Sequence, residues 1–295
     1  MGGSVRWVEE PDPDNAVYLT LDKFYKKTHR HYPYIQKVNG ETKAYALCPR
    51  CHNPVLLVNR INNQTESKTL YAKHVKHDVM GIASYSQQGY DDCSLANPTN
   101  LDAKIKRDIN NKSNNEIKDA VKNYFDLLIY SIESHIGINF SDSVLAQMLE
   151  DFNACDGHQY RAINLYNLPL SFVYIANAQD LYGCRVNGKI KENIDKNSES
   201  FITSGTELYD KSLYYVNRKK GSPYNKILFY FSNHTISTEN DDESVMLYIV
   251  EKKQDQTIDS AKILYKEKIY FDGTYFFNTM KKRARLNDLA KSIIQ

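Results

Sequence analysis

Apolar side chains recur at helical spacing in the middle of the chain. Between residues 116 and 136, one face of a helix would carry Ile117, Val121, Phe125, Leu128 and Ile132. This period of three to four residues predicts one amphipathic helix, which Asn114 or Asn115 would open and Gly137 would end. The preceding stretch, residues 97–116, is rich in Asn and Lys and predicts a solvated helix or a connector.

A second helix is predicted over residues 141–152. Serine side chains accept hydrogen bonds from the first unpaired backbone amides of a helix, so Ser141 is placed at the N-cap. The buried face is then expected to carry Leu145, Met148, Leu149 and Phe152. With two helices in succession, residues 99–156 are interpreted as a helical connector region.

After Gly157 the pattern changes to short runs rich in β-branched and aromatic residues, which favour strands. Strands are predicted at residues 162–166, 170–176, 226–233, 244–253, 261–271 and 274–278. A long polar excursion, residues 187–212, separates two of them. Residues 278–295 predict a closing helix.

Composition adds few constraints but excludes some classes of protein. The 38 Lys and Arg residues nearly balance 36 Asp and Glu residues, which argues against nucleic-acid binding through bulk charge. The 23 tyrosines outnumber the 11 phenylalanines. Because tyrosine suits wet interfaces as well as cores, this excess indicates a surface that binds another macromolecule, or a compositional bias that also favours Lys, Asn and Ile.

Targeting signals are not predicted. The first residues, MGGSVRWVEEPDPD, contain no apolar segment of the kind found in signal peptides, and no run is long enough to span a membrane. The five cysteines are too few and too scattered for a secreted disulfide framework. The expected location is therefore a reducing cytoplasm.

Cysteine and histidine spacing predicts a metal site. Cys48 and Cys51 form a CxxC knuckle, His74 follows in the segment LYAKHVKHD, and Cys93 comes later in YDDC. Cys48, Cys51, His74 and Cys93 complete the ligand set of a tetrahedral zinc ion. His77 competes with His74, and reduced cysteines without any metal remain the alternative.

The predicted zinc site is structural rather than catalytic. Four protein ligands leave no position for an activated water, and no HxE or HExxH motif supplies a general base. If His74 binds the metal, Asp78 is expected one helical turn later, where it would orient the second ring nitrogen. The predicted fold class is α+β, with an N-terminal zinc-binding region (1–98), the helical connector (99–156) and a largely antiparallel β-rich C-terminal domain (157–295).

The segment CPRCHNPVLLV, followed by LYAKHVKHD, resembles the zinc-finger-like module of competence CoiA-like proteins over residues 44–98. Some proteins with that module also carry a restriction-type nuclease domain. The resemblance therefore implies that a nuclease motif should be sought.

One segment has the residue pattern of a restriction-type nuclease motif. Glu251-x-Lys253 ends a predicted strand, and the acidic residues Asp241, Asp242 and Glu243 precede it. A polar hairpin produces this pattern easily by chance, so we expect an ordinary turn. Cys155 and His158 are too close in sequence for a typical nucleophile–base pair. No catalytic residue is predicted.

Two basic segments could contact phosphate, namely residues 281–285 (KKRAR) and residues 23–34, where aromatic residues are interleaved. The competing interpretation is a solvated helix face for the first and a strand edge or partner surface for the second. Given the balanced net charge, direct nucleic-acid binding is not the leading expectation.

In length and in its Lys-, Asn- and Tyr-rich composition without a catalytic motif, the chain is similar to the phage-encoded Gabija anti-defence proteins. That resemblance implies a non-enzymatic homo-oligomeric inhibitor in the bacterial host cytoplasm. Such an inhibitor assembles around a bacterial nuclease and ATPase complex and blocks its DNA binding and cleavage. The alternatives are a CoiA-like metal-dependent nuclease and a nucleic-acid-binding protein.

Overall fold

An antiparallel meander in the order β3-β4-β5-β6 forms the centre of the N-terminal lobe. The computed structural model describes residues 4–5, 17–61, 68–96, 100–205, 207–208, 211–236, 243–271 and 273–294. The elements of this lobe are β1 (Ser4–Val5), β2 (Val17–Tyr18), α1 (Leu21–Thr28), β3 (Ile35–Val38), β4 (Glu41–Leu47), β5 (Pro54–Ile61), β6 (Lys68–His74) and α2 (Gln87–Asp91). Phe24 of α1 and Tyr45 and Ala46 of β4 lie in a small core that also contains Cys48 and Cys93.

The predicted helix over residues 114–136 is two helices. The middle of the chain contains a 3-10 turn (Leu101–Ala103), α3 (Lys112–Asn123), α4 (Phe125–Ile136), β7 (Ile138–Asn139), α5 (Asp142–Ala154), a 3-10 turn (Gly157–Gln159) and α6 (Leu168–Ile175). Tyr124 separates α3 from α4 because its backbone, with φ −133° and ψ 32°, is not helical. Asn111, rather than Asn114 or Asn115, caps α3 by accepting the backbone N–H of Ser113.

The other helix predictions in this region agree with the structure. Gly137 ends α4 with a left-handed backbone, φ 69°, which glycine adopts without a Cβ clash. Ser141 caps α5 by accepting the backbone N–H of Val144. Met148 and Phe152 are buried on the predicted face of α5.

Two antiparallel sheets dominate the C-terminal half, in the orders β16-β15-β14-β8 and β10-β13-β9-β7. The remaining elements are β8 (Gln179–Asp180), β9 (Arg185–Val186), α7 (Gly188–Asn197), β10 (Phe201–Ser204), β11 (Glu207–Leu208), β12 (Lys211–Ser212), β13 (Tyr214–Arg218), β14 (Lys226–Ile236), β15 (Glu243–Lys252), β16 (Lys262–Phe271) and α8 (Thr274–Ile293). The strands predicted at residues 226–233, 244–253 and 261–271 are β14, β15 and β16. The α+β class, with mixed helices and antiparallel sheets, is confirmed.

Three predicted strands are wrong. Residues 162–166 form turns, residues 170–176 belong mostly to α6, and residues 274–278 begin α8. Pro169 lies in the first turn of α6, where its missing N–H leaves no hydrogen bond unmade. Residues 168–173 are buried on every side, so they show no amphipathic period that could separate a helix from a strand.

One core joins the helices to the sheets. Leu128 and Ile132 of α4, Phe172 of α6 and Phe229 of β14 belong to the same cluster of buried side chains. Residues from the predicted connector and from the predicted C-terminal domain therefore pack together as one body. None of the helices that the structure describes is long and apolar enough to cross a membrane.

A substitution at Gly273 can test how tightly α8 packs on this body. A Cβ on Gly273 would overlap the carbonyl oxygen of Tyr166, whose ring lies against Phe277 of α8. We predict that Gly273→Ala lowers the free energy of unfolding by about 2 kcal/mol or more, because the backbone must move to relieve the overlap. Gly188→Ala is the matched control, since its Cβ would meet nothing within 4 Å. Equal urea midpoints for the two variants would contradict this packing.

Candidate metal centre

A tight turn between β4 and β5 carries the first two cysteines. The backbone N–H of Cys48 donates to the carbonyl of Asn53 at 2.9 Å, and the N–H of His52 donates to the carbonyl of Cys48 at 3.0 Å. His52 adopts a left-handed backbone, φ 57°, that closes the turn. Cys48 and Cys51 are thereby held on one side of the hairpin.

His74 and Cys93 come from other segments and lie beside the first two cysteines. His74 is the last residue of β6 and lies opposite Val55 of β5. Cys93 follows α2, where its backbone N–H donates to the carbonyl of Tyr90 at 3.2 Å. The ring of Tyr90 packs edge-on against His74, with centroids 5.5 Å apart.

Asn53 joins the knuckle to the segment that leads to Cys93. Its side chain donates to the carbonyl of Ser86 at 2.9 Å and accepts the backbone N–H of Ser86 at 2.7 Å. Asn53 is 1% exposed, so both bonds are made away from water. Sequence reasoning missed this positioning residue, although it directly follows the knuckle.

The four candidate ligand atoms lie close together. Cys48 Sγ lies 3.7 Å from Cys93 Sγ, His74 Nε2 lies 3.3 Å from Cys51 Sγ and 3.8 Å from Cys93 Sγ, and all four lie within 4.8 Å of one another. With metal–sulfur distances of about 2.3 Å, the edge of a ligand tetrahedron is about 3.8 Å. The cluster is close enough to hold one metal ion and is compatible with zinc.

The cysteines and the histidine of the cluster shift one another's pKa. Burial opposes ionisation of the Cys48 thiol, yet hydrogen bonds from Cys51, Cys93 and His74 hold its pKa well below the ordinary value. Burial likewise opposes protonation of His74, but its contacts with Cys48 and Cys51 raise its pKa to about 10. Sulfur ligands that attract a proton to the imidazole in this way are also the ligands that a soft divalent cation prefers.

His77 lies outside the cluster. It is exposed, whereas His74 is half-buried among the cysteines. The expected helical relation between His74 and Asp78 is wrong, because His74 ends a strand. Asp78 instead accepts the backbone N–H of Tyr85 at 2.7 Å.

Polar contacts attach the cluster to the body. Arg50 Nη1 lies 2.7 Å from Glu116 Oε1 of α3, and Ser94 Oγ donates to Glu116 Oε2 at 2.6 Å. The carbonyl of Ser94 accepts the backbone N–H of Leu165 at 2.9 Å. One carboxylate thus contacts both the knuckle residue Arg50 and the residue that follows Cys93.

Comparison with protein-family models, with curated proteins and with solved structures finds no match to this chain.

Glu251, the acidic residue of the nuclease-like motif, is a buried structural carboxylate. It accepts hydrogen bonds from Ser198 Oγ, the backbone N–H groups of Glu199 and Ser200, and Asn225 Nδ2, at 2.8–2.9 Å. Burial alone would raise its pKa, but these donors bring the pKa below the ordinary value. The carboxylate fastens the segment after α7 to β15.

The other residues of that motif are not assembled around Glu251. Glu243 accepts from Asn167 Nδ2 at 3.1 Å and lies 2.9 Å from His234 Nε2. Lys253 lies 3.8 Å from Glu199 on the surface. Asp241 and Asp242 lie outside the described residues.

The Cys155 and His158 pair shows no catalytic arrangement in the described structure. The Cys155 thiol donates to the carbonyl of Phe152 at 3.5 Å, one turn earlier in α5. The adjacent Asp156 pairs with Lys106 at 3.0 Å. These contacts tie the end of α5 to a neighbouring loop.

Glu251 provides a pH-dependent test of its structural role. Because folding lowers its pKa, its stabilisation is present above the unfolded pKa and is lost as pH falls through the folded pKa. We predict that Glu251→Gln lowers the free energy of unfolding at pH 7 by about 3 kcal/mol, because the amide NH2 that replaces one carboxylate oxygen cannot accept hydrogen bonds from the buried donors. The difference from the wild-type protein should begin to shrink as pH falls through about 4.3, the ordinary pKa of glutamate, and should shrink further at lower pH.

Glu199→Gln is the matched control, because Glu199 is a surface residue of the same segment with ion pairs no closer than 3.8 Å. Its unfolding free energy should change by less than about 0.5 kcal/mol. A Glu251→Gln protein as stable as the Glu199→Gln protein would refute the structural role.

Proposed function

We propose that Cys48, Cys51, His74 and Cys93 bind one structural zinc ion. Three sulfurs and one imidazole nitrogen are a donor set that zinc accepts in tetrahedral sites. The spacing of the ligand atoms supports this assignment, as does the 2% exposure of both Cys48 and Cys93. Four protein ligands would fill the coordination shell, so the ion would supply stability rather than an activated water.

We further propose that the chain is a non-enzymatic protein that works by binding another protein. The observation that carries this proposal is a set of tyrosines at least half exposed to solvent: Tyr32, Tyr130, Tyr182, Tyr224, Tyr270 and Tyr275. Tyrosine is enriched at protein interfaces because its ring buries a large apolar area while its hydroxyl tolerates water. The structural use of Glu251 adds support, since it removes the leading acidic residue from a nuclease site.

The proposed target is a bacterial Gabija defence complex. This choice of target comes from the resemblance of the chain, in length and composition, to phage anti-defence proteins. In this proposal the chain, as a homo-oligomer in the host cytoplasm, binds the nuclease and ATPase complex stoichiometrically. It thereby keeps DNA from reaching the nuclease. The chain contributes a binding surface and no chemistry of its own.

Metal content tests the zinc proposal and the choice of histidine. We predict about one zinc per chain in the purified protein and a lower zinc content in His74→Ala after dialysis against a chelator, because loss of one of the four protein ligands weakens zinc binding. His77→Ala should retain full zinc content, since His77 is exposed and outside the cluster. Elemental analysis by mass spectrometry measures both. Equal zinc loss in the two variants, or none in either, would contradict the assignment.

A binding and cleavage assay with purified Gabija complex tests the function. We predict a stable complex by native mass spectrometry and stoichiometric loss of DNA cleavage when the chain is added. The chain alone should not cleave DNA with Mg²⁺ or Mn²⁺. Cleavage that disappears in Glu251→Gln while the fold persists would instead support a CoiA-like nuclease, and absence of any complex would overturn the proposed target.

A further inference from the structure

The second half of α8 projects from the body. The first half is fixed, because Phe276, Phe277 and Met280 are buried and Arg283 Nη1 lies 2.7 Å from Asp126 Oδ2 of α4. From residue 285 to residue 294 every residue is exposed. At 1.5 Å per residue, this projecting part extends about 16 Å beyond the Arg283 contact.

An apolar stripe runs along the projecting part. Leu286, Leu289 and Ile293 are 43%, 50% and 71% exposed, and their spacing of three and four residues places them on one side of the helix. That side lies about 150° around the helix axis from the buried side of α8. A helix that only covers a core has polar residues facing solvent, so the fold does not explain these three side chains.

Exposed aromatic residues continue the stripe toward the body. Tyr275 lies on the same side of α8 about three turns before Leu286. It is 56% exposed, and its ring centroid is 6.5 Å from that of Tyr130 on α4, which is 53% exposed. We call Tyr275, Leu286, Leu289 and Ile293 the α8 stripe.

Basic residues are concentrated in the same part of α8, and Lys282 and Arg285 lie beside the α8 stripe. Residues 281–294 contain five basic residues and one acidic residue, a surplus of four, whereas the whole chain has a net charge of +2. These residues are Lys281, Lys282, Arg283, Arg285 and Lys291 against Asp288. Only Lys291 lies in the last turn, where the helix dipole favours a cation. Helix capping therefore does not account for the concentration of charge.

We propose that the α8 stripe docks into an apolar groove with an acidic rim on a protein partner. The aliphatic side chains would enter the groove in the manner of helix-in-groove recognition, while Lys282 and Arg285 would meet carboxylates on the rim. This proposal rests on the proposed binding function and names the contact element and the partner chemistry.

Other occupants fit the observations less well. A second copy of this chain would bring two helices with the same basic surplus together, which electrostatic repulsion opposes. A nucleic acid would satisfy the basic residues, but its phosphates offer no apolar surface to cover three aliphatic side chains. An acidic groove satisfies both the charge and the apolar stripe.

The test compares variants of the full chain for binding to purified Gabija complex. Leu286→Asp combined with Leu289→Asp should weaken binding by at least about 30-fold, because central apolar anchors dominate interface energy. Asn287→Asp combined with Ser292→Asp is the matched control, since it adds the same charge to other sides of the same helix, and it should weaken binding less than about tenfold. Arg285→Glu should weaken binding and reduce its dependence on salt. All these residues are exposed, so thermal melting should be unchanged.

The outcomes separate this inference from the proposed function. If the wild-type chain binds the complex and the Leu286→Asp, Leu289→Asp variant binds equally well, the inference is overturned and the proposed function stands. If the wild-type chain does not bind the complex, both the proposed function and this inference are overturned. If native mass spectrometry shows that this variant loses self-association but keeps binding to the complex, the α8 stripe is instead a contact with a second copy of this chain. Tight wild-type binding to a short DNA duplex that Arg285→Glu abolishes would assign it to nucleic acid.

Discussion

Three segments distant in the sequence meet at the cluster of Cys48, Cys51, His74 and Cys93, and the organisation of the N-terminal lobe depends on that meeting. The lobe has a small core of its own, which limits the free energy that hydrophobic burial supplies. A metal bound by all three segments would compensate by linking the hairpin, β6 and the chain after α2. Residues directly after Cys93 then join the body through Leu165 and Glu116. The arrangement of the Cys and His cluster therefore also determines how the N-terminal lobe is attached to the rest of the body.

Buried carboxylates carry much of the remaining polar organisation. Glu251 accepts four hydrogen bonds, and Glu243 contacts both Asn167 and His234. A buried carboxylate without such donors would cost several kcal/mol, at roughly the scale of the whole stability of a domain. These acidic residues are retained where segments without regular pairing must be fixed to strands. Glu243 and Glu251 thus have a structural role, although the spacing of the acidic residues resembles that of a metal-dependent nuclease.

The ligand set could be predicted from sequence because thiolate and imidazole chemistry restricts the residue types, whereas the choice of His74 over His77 required the strand register. The strands β14 to β16 were predictable because their sequences are runs rich in β-branched and aromatic residues. Residues 170–176 were mistaken for a strand because an apolar run buried on all sides has no period. The break at Tyr124 left no sequence signal, since the apolar spacing continues through it. Asn53 and Glu116 act through contacts between distant segments, which no local pattern reveals.

The proposed function depends on the surface. In the proposed zinc site four protein ligands would fill the metal shell, and the Glu251 carboxylate is saturated with donors, so neither group would be free to bind a substrate. Association with another protein requires something different, namely apolar area that stays in contact with water until the partner arrives. The fold provides this where its elements extend past the core, because side chains there have no neighbours in the same body to cover them. On α8 the apolar stripe lies beside the basic residues Lys282 and Arg285, so one contact with an acidic, apolar groove would bury the first and neutralise the second.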